Sequence, residues 1–292
     1  MNPLLKKLGF THKDRVLIIH ADDIGMYQAS IPAFSDLSEF GIVTSGSIMP
    51  PCPWLPAAAE LVNANPPMDI GIHLTLTSEW KNYRWRCVSG SGEAASLLDS
   101  QGYFYQTCNQ LHRFSDTQEV ELELRAQIDL VEKMGIIPTH IDSHMYSLIH
   151  PALFTLYATL SLELRLPALI WQADWRMFGF NPRQARQAEL LLDQLQAAEL
   201  PVFDNLYVLG KRQRDISRRQ QVENIISEIP AGLNMLLIHP AKDTPELRAV
   251  TPNWHHRVED YHTFLDPLLL THINQTDIKL VQYRDLCPCG RD

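Results

Sequence analysis

Val16-Leu17-Ile18-Ile19-His20-Ala21-Asp22-Asp23-Ile24-Gly25 is an apolar, β-branched run that stops at two adjacent carboxylates followed by a glycine. Such a run reads as a strand covered on both faces, as in the parallel sheet of an α/β protein. Chemistry in those folds collects just beyond the carboxyl ends of the strands. An Asp-Asp pair at that place is either a metal site or a mutually perturbed acid/base pair.

Outward from this run, strand-like and helix-like stretches alternate for most of the chain, which favours α/β. Residues 27–40 read as a helix ending at Gly41, and 42–49 as a second strand. After the rigid turn Pro50-Pro51-Cys52-Pro53-Trp54 comes a helix over 56–63, then a third strand over 69–77. Residues 78–115 break the rhythm and read as a lid or binding loop. A helix over 117–135 carries Val120, Leu124, Ile128 and Val131 on one stripe. Residues 136–144 read as a strand running into polar residues. Helices over 183–200 and 215–227, a strand over 233–240 ending in His239-Pro240, a helix over 257–270 and a strand over 278–283 complete the pattern. No G-x-G-x-x-G or Walker-type loop follows any strand, which removes support for nucleotide folds. The expected architecture is a single domain over 1–292. It is a (β/α) barrel of mostly parallel strands with an irregular insertion around 78–115.

With 292 residues, 45% hydrophobic and 20% charged, the composition is that of an ordinary globular protein, and disorder is not indicated. A formal charge of −9 argues against a general polyanion binder, because nucleic-acid affinity rests on phosphate neutralisation. The first ten residues hold no apolar signal core, and no uncharged apolar run approaches a membrane span. The odd count of five cysteines fits reduced thiols, and the expected location is the cytoplasm. Expected partners are a small-molecule or oligosaccharide substrate, with no nucleic acid and no membrane; a homodimer is left open.

The predicted strand ends deliver Asp22 and Asp23, then His73, then His140, Asp142 and His144, then His239. Residues two apart in a strand share a face, so His140, Asp142 and His144 could line one side. Carboxylate plus imidazole is a usual ligand set for catalytic Zn²⁺ and is compatible with Mn²⁺, Fe²⁺ or Mg²⁺. A second aspartate beside the ion could act as general base, and a histidine opposite could protonate a leaving amine. Taken singly each residue has a plainer reading: Asp22-Asp23 as a helix cap, His73 as a satisfied core histidine, His239 as a backbone-bonded one. Their joint placement at strand ends is the stronger signal.

His20-Ala21-Asp22-Asp23-Ile24-Gly25, Gly41-Ile-Val-Thr-Ser45, Gly71-Ile-His73-Leu-Thr-Leu-Thr77, Thr139-His-Ile-Asp142-Ser-His144 and Leu237-Ile-His239-Pro240 together resemble the YdjC-like (ChbG-type) carbohydrate deacetylases, in that family's order. The resemblance implies a distorted (β/α) barrel, polysaccharide-deacetylase-like, that removes acetyl from N-acetylated sugars. It also implies one divalent ion, Mg²⁺ or Zn²⁺ with Mn²⁺ or Co²⁺ as alternatives, held by Asp23, His73 and His144. Asp22 would be the base, His239 the acid, and His140 and Asp142 groups that orient the ligands. Two positions depart from the family pattern: His20 stands where Asn is usual, and Tyr146 where a further His is common. The second change is expected to alter the substrate pocket, not the ligand set. Rival readings are a metal-dependent hydrolase of another N-acyl or ester substrate, or a silent glycan-binding protein.

Trp80, Tyr83, Trp85, Tyr103, Phe104 and Tyr105 would either stack on a sugar or pack the loop onto the barrel. Trp254-His255-His256-Arg257 reads as a surface cluster at a helix entry, and Cys287-Pro288-Cys289 as a solvated tail.

Overall fold

Val16 to Ala21 are all buried, as an apolar strand covered on both faces must be. The structure, a computed structural model, describes residues 2–210 and 215–287. Its strands are β1 (Arg15–Ile24), β2 (Ser45–Ile48), β3 (Ile70–Leu74), β4 (Ile141–Ser143), β5 (Asn205–Val208), β6 (Gly232–Ile238) and β7 (Ile278–Leu280). They join one sheet in the order β4-β3-β2-β1-β6-β5, with β7 paired to β1. Every pairing is parallel.

The sheet curls because its two outer strands are bridged. Ile141 N–H donates to Pro167 O, Leu169 N–H to Ile141 O, and Phe203 N–H to Ile170 O. Residues 167–172 thereby link β4 to the segment entering β5 and close the ring. β7 pairs with Arg15–Leu17 on the edge of β1 opposite β6, while β2 takes the same edge further up, at His20–Ile24. This shared edge is what distorts the barrel. The expected distorted parallel barrel is the observed architecture.

Local chemistry explains the helices around it. Asp116 caps Thr117–Lys133 by accepting from Gln118 N–H and Glu119 N–H, and the Val120, Leu124, Ile128, Val131 stripe is buried as expected. Gly41 ends Ser30–Phe40 with φ 90°, a left-handed cap that glycine adopts without strain.

Several expectations need correction. β1 runs through the Asp pair instead of stopping before it. The expected helix over 257–270 is two, Trp254–Phe264 and Pro267–Asn274. Pro267 lacks the amide needed to continue a helix, and Asp266 caps the second one by accepting from Leu268 N–H. The irregular insertion holds a helix, Cys108–Phe114, capped by Thr107. Helix Phe154–Leu164 and β5 have no counterpart in the sequence reading. No helix among the described residues is long and apolar enough to cross a membrane.

Candidate metal centre

Adjacent strand residues normally face opposite sides, yet Asp22 and Asp23 both face the same centre. The reason is local: Asp23 has φ 65°, and the β1–β2 register shifts between Ala21 and Ile24. Asp is one of the few non-glycine types that visits this region readily. The resulting bulge turns both carboxylates inward at the carboxyl end of β1.

Asp23 Oδ1 stands 3.4 Å from His73 Nε2 and 3.2 Å from His144 Nδ1. Those two nitrogens are themselves 3.2 Å apart. His73 comes from β3, and His144 from the turn that follows β4. The three side chains form a buried group whose donor atoms lie within 4.8 Å of one another. Asp23 Oδ1 is buried without a hydrogen-bond partner despite these short separations, while the two imidazole nitrogens are within hydrogen-bond distance of each other, so the three atoms face a common point. That arrangement fits a divalent ion with two nitrogen ligands and one oxygen ligand.

The electrostatics agree. Asp22, Asp23, Asp142 and Glu79 surround the two imidazoles, and Arg257 is the guanidinium that meets them. Burial opposes charge on His144, but Glu79 and Asp23 hold it up at about 9. Burial likewise opposes charge on His73, which Asp142 and Asp22 nevertheless raise well above the usual value. Burial would push the Asp23 carboxyl up, yet Arg257, with His144 and His73 behind it, holds it well below the carboxylate range. The centre carries more carboxylate than fixed positive charge, so it calls for a cation, and a metal ion would replace the histidine protons.

Around this group, Asp142 Oδ1 accepts from His73 Nδ1 at 2.7 Å, which orients Nε2 toward Asp23. Its other oxygen accepts from Ser47 Oγ at 2.8 Å and lies 3.0 Å from His20 Nε2. The same His20 nitrogen is 3.2 Å from Asp22 Oδ1. Asp22 Oδ2 is 3.6 Å from His239 Nε2, which enters from the end of β6. Asp22, Asp23, His73, Asp142, His144 and His239 are therefore brought together. His140 stands behind them: it shares a buried group with His20 and Asp142, donor atoms within 4.8 Å, but its hydrogen bond goes to Thr139 Oγ1, and its ring stacks on Tyr283 at 3.8 Å and crowds Gly71. The expectation that it orients the ligands gives way to a core packing role.

Two residues escaped the sequence reading. The sequence reads Arg257 as part of a surface cluster, but its helix packs it inward, where Nη1 stands 2.7 Å from Asp23 Oδ2 and the guanidinium lies over the Tyr27 ring. Glu79 Oε2 is 3.1 Å from His144 Nε2; its one signal was a charge immediately after the third strand run. In the aromatic segment Trp85 and Phe104 are buried, and Trp85 packs edge-on to His144 with ring centres 6.4 Å apart. Tyr103 lies beneath Arg84 and Arg86. Trp85 and Phe104 therefore pack the loop onto the barrel. Cys287 is described and partly buried; Pro288 and Cys289 lie outside the described residues.

The chain resembles known proteins over nearly its whole length. A carbohydrate deacetylase of Thermus thermophilus is 34% identical over 264 residues, covering 90% of this chain and 91% of the relative. One of Geobacillus stearothermophilus is 26% identical, covering 93% and 98%. A solved chain from Enterococcus faecalis V583, described there only as a candidate cellobiose-phosphate cleavage protein, has a TM-score of 0.78 at 23% identity and covers 94% of this chain and 99% of its own. That likeness concerns the fold. The model of the family described as YdjC-like protein matches residues 16–275, a span that includes every strand except β7 and part of β1, and all six converging residues. This chain belongs to the YdjC-like family.

Proposed function

We propose that this chain is a metal-dependent carbohydrate deacetylase that hydrolyses the amide of N-acetylated sugars or oligosaccharides to acetate and an amino sugar. The observation that carries the reading is Asp22. It is a carboxylate outside the converging triad, held between that triad and His239 at 3.6 Å. Relatives named carbohydrate deacetylase support the substrate class.

Asp23, His73 and His144 would hold the ion. A divalent ion bound there polarises the acyl carbonyl and stabilises negative charge that develops on its oxygen. Two imidazole donors favour Zn²⁺, Co²⁺ or Mn²⁺, while Mg²⁺ prefers oxygen. Asp22 takes the proton from the attacking water. Its Oδ1 has no hydrogen bond of good geometry, although His20 Nε2 stands 3.2 Å away. His239, partly exposed and fixed through its own N–H to Asp260 Oδ2 at 3.2 Å, delivers a proton to the departing amine. Asp142 keeps His73 in one tautomer and orientation throughout.

The test is acetate release from N-acetylglucosamine and its oligomers by metal-stripped protein, with Mg²⁺, Mn²⁺, Co²⁺ or Zn²⁺ returned singly. Metal-dependent acetate that disappears in Asp22→Asn, with metal affinity kept, is expected. Near-native turnover in Asp22→Asn would remove the base assignment. Silence on all sugars with activity on other acyl amides or esters would replace the substrate class.

A further inference from the structure

Met145 and Tyr146 follow His144 directly, and both have left-handed backbone, φ 54° and 51°. Two successive side-chain-bearing residues in that region cost about 1–3 kcal/mol each, a strain that persists where the surroundings over-determine it. Its effect here is to turn Tyr146 inward. The ring stands edge-on to Trp171 with centres 5.9 Å apart. Its hydroxyl is buried and has no hydrogen-bond partner. A buried hydroxyl without a partner costs about 1–3 kcal/mol, so a ligand that satisfies it is favoured by the same margin.

Trp171 carries the aromatic run outward. Its ring meets Phe178 at 5.8 Å and 77°. Phe178 is 40% exposed and its neighbour Met177 is 83% exposed. Both lie in the turn that leaves residues 167–172 at the carboxyl end of the barrel, the end where Asp22, His73 and His144 stand. A line of aromatic contact therefore runs from an unpaired hydroxyl two residues beyond His144 to a part-exposed ring at the rim.

We propose that Tyr146 and Phe178 are the two ends of a sugar subsite. The Tyr146 hydroxyl hydrogen-bonds the ring whose amide is cleaved, and the exposed face of Phe178 takes the apolar face of the adjoining ring. A sugar supplies both complements at once: hydroxyl and acetamido groups for the phenol, and a C–H face for the aromatic. The subsite rests on the deacetylase reading and makes it specific, since it selects substrates of two or more rings.

Binding of N-acetylglucosamine and N,N′-diacetylchitobiose to the metal-stripped chain is measured by calorimetry, where no turnover intervenes, with KM and kcat measured on the metal-loaded enzyme. Tyr146→Phe is expected to weaken both sugars about five- to tenfold, the worth of one hydrogen bond, with metal affinity kept and the thermal midpoint of the free chain unchanged or raised. Phe178→Ala is expected to weaken the disaccharide several-fold more than the monosaccharide. Unchanged sugar affinity and KM in Tyr146→Phe, or equal losses for both sugars in Phe178→Ala, would overturn the subsite. Sugar binding that responds to these changes in a chain that releases no acetate would support the subsite and sink the deacetylase reading. Acetate release indifferent to both changes would do the reverse.

Discussion

Arg257 Nη1 lies 2.7 Å from Oδ2 of Asp23, while Oδ1 of the same carboxylate faces His73 and His144. One aspartate thus connects a buried permanent cation to the point where two imidazoles converge. The guanidinium satisfies one oxygen and leaves the other directed at the ion site. Arg257→Ala is expected to lower metal affinity about 10–100-fold, as loss of a group that orients a ligand does. It should also destabilise the metal-free chain by about 3–5 kcal/mol, because a buried charge loses its partner. Saturating metal should recover part of that loss. Thermal midpoints with and without metal, alongside a calorimetric metal titration, check both effects.

Asp142 acts from the other side. Its Oδ1 accepts from His73 Nδ1, and its Oδ2 accepts from Ser47. Asp142→Asn removes the charge that fixes the His73 tautomer, and metal affinity is expected to fall about 10–100-fold. Unchanged affinity in a metal titration would show that His73 is not held for a metal.

Gly71 sits where β3 passes the His140 ring, and a Cβ there would lie 2.3 Å from His140 Nε2. The ring is clamped between that backbone and Tyr283, so it has nowhere to go. Gly71→Ala is expected to destabilise by about 1–3 kcal/mol, the cost of overpacking. Metal affinity should fall as well, since His73 is two residues along the same strand. Denaturant unfolding and a metal titration measure the two losses.

His112 and His150 stack at 3.7 Å on the helix and turn beside the site. Burial lowers the pKa of both; the neighbouring His112 lowers His150 further, and the Ser147 carbonyl offsets part of the shift on His112. With folded values below the unfolded one, the unfolded chain binds more protons as pH falls. Their contribution to stability is therefore present above about pH 6.5 and is lost on acidification. His150→Phe keeps a stacked ring and removes one titration. Its thermal midpoint should fall less than wild type between about pH 6.5 and pH 5.

Val16–Ile19 and Met235–Ile238 announce buried strands because consecutive apolar residues have few other places to go. The histidines and aspartates at their ends were legible because polar residues stop such runs abruptly. Short strands were not: β5 reads Asn205-Leu206-Tyr207-Val208 and is half-exposed, so its pairing with β6 rather than its composition makes it a strand. Pro267 is visible in the sequence as a proline, but the second helix also needs Asp266 as its cap, a contact that the structure supplies.

The order of apolar runs and polar stops in the sequence determined that this chain is a parallel α/β barrel and that Asp22, Asp23, His73, His144 and His239 stand at one end of it. A strand's alternation and its terminus are local properties, so they can be read locally. Only the tertiary structure decided that the left-handed Asp23 turns both carboxylates to one side, that Asp142 orients His73 while His140 packs the core, and that Arg257 reaches inward from a helix more than 230 residues later. Those are contacts across the sheet and between elements far apart in sequence. They depend on how the barrel closes, and no window of residues contains that.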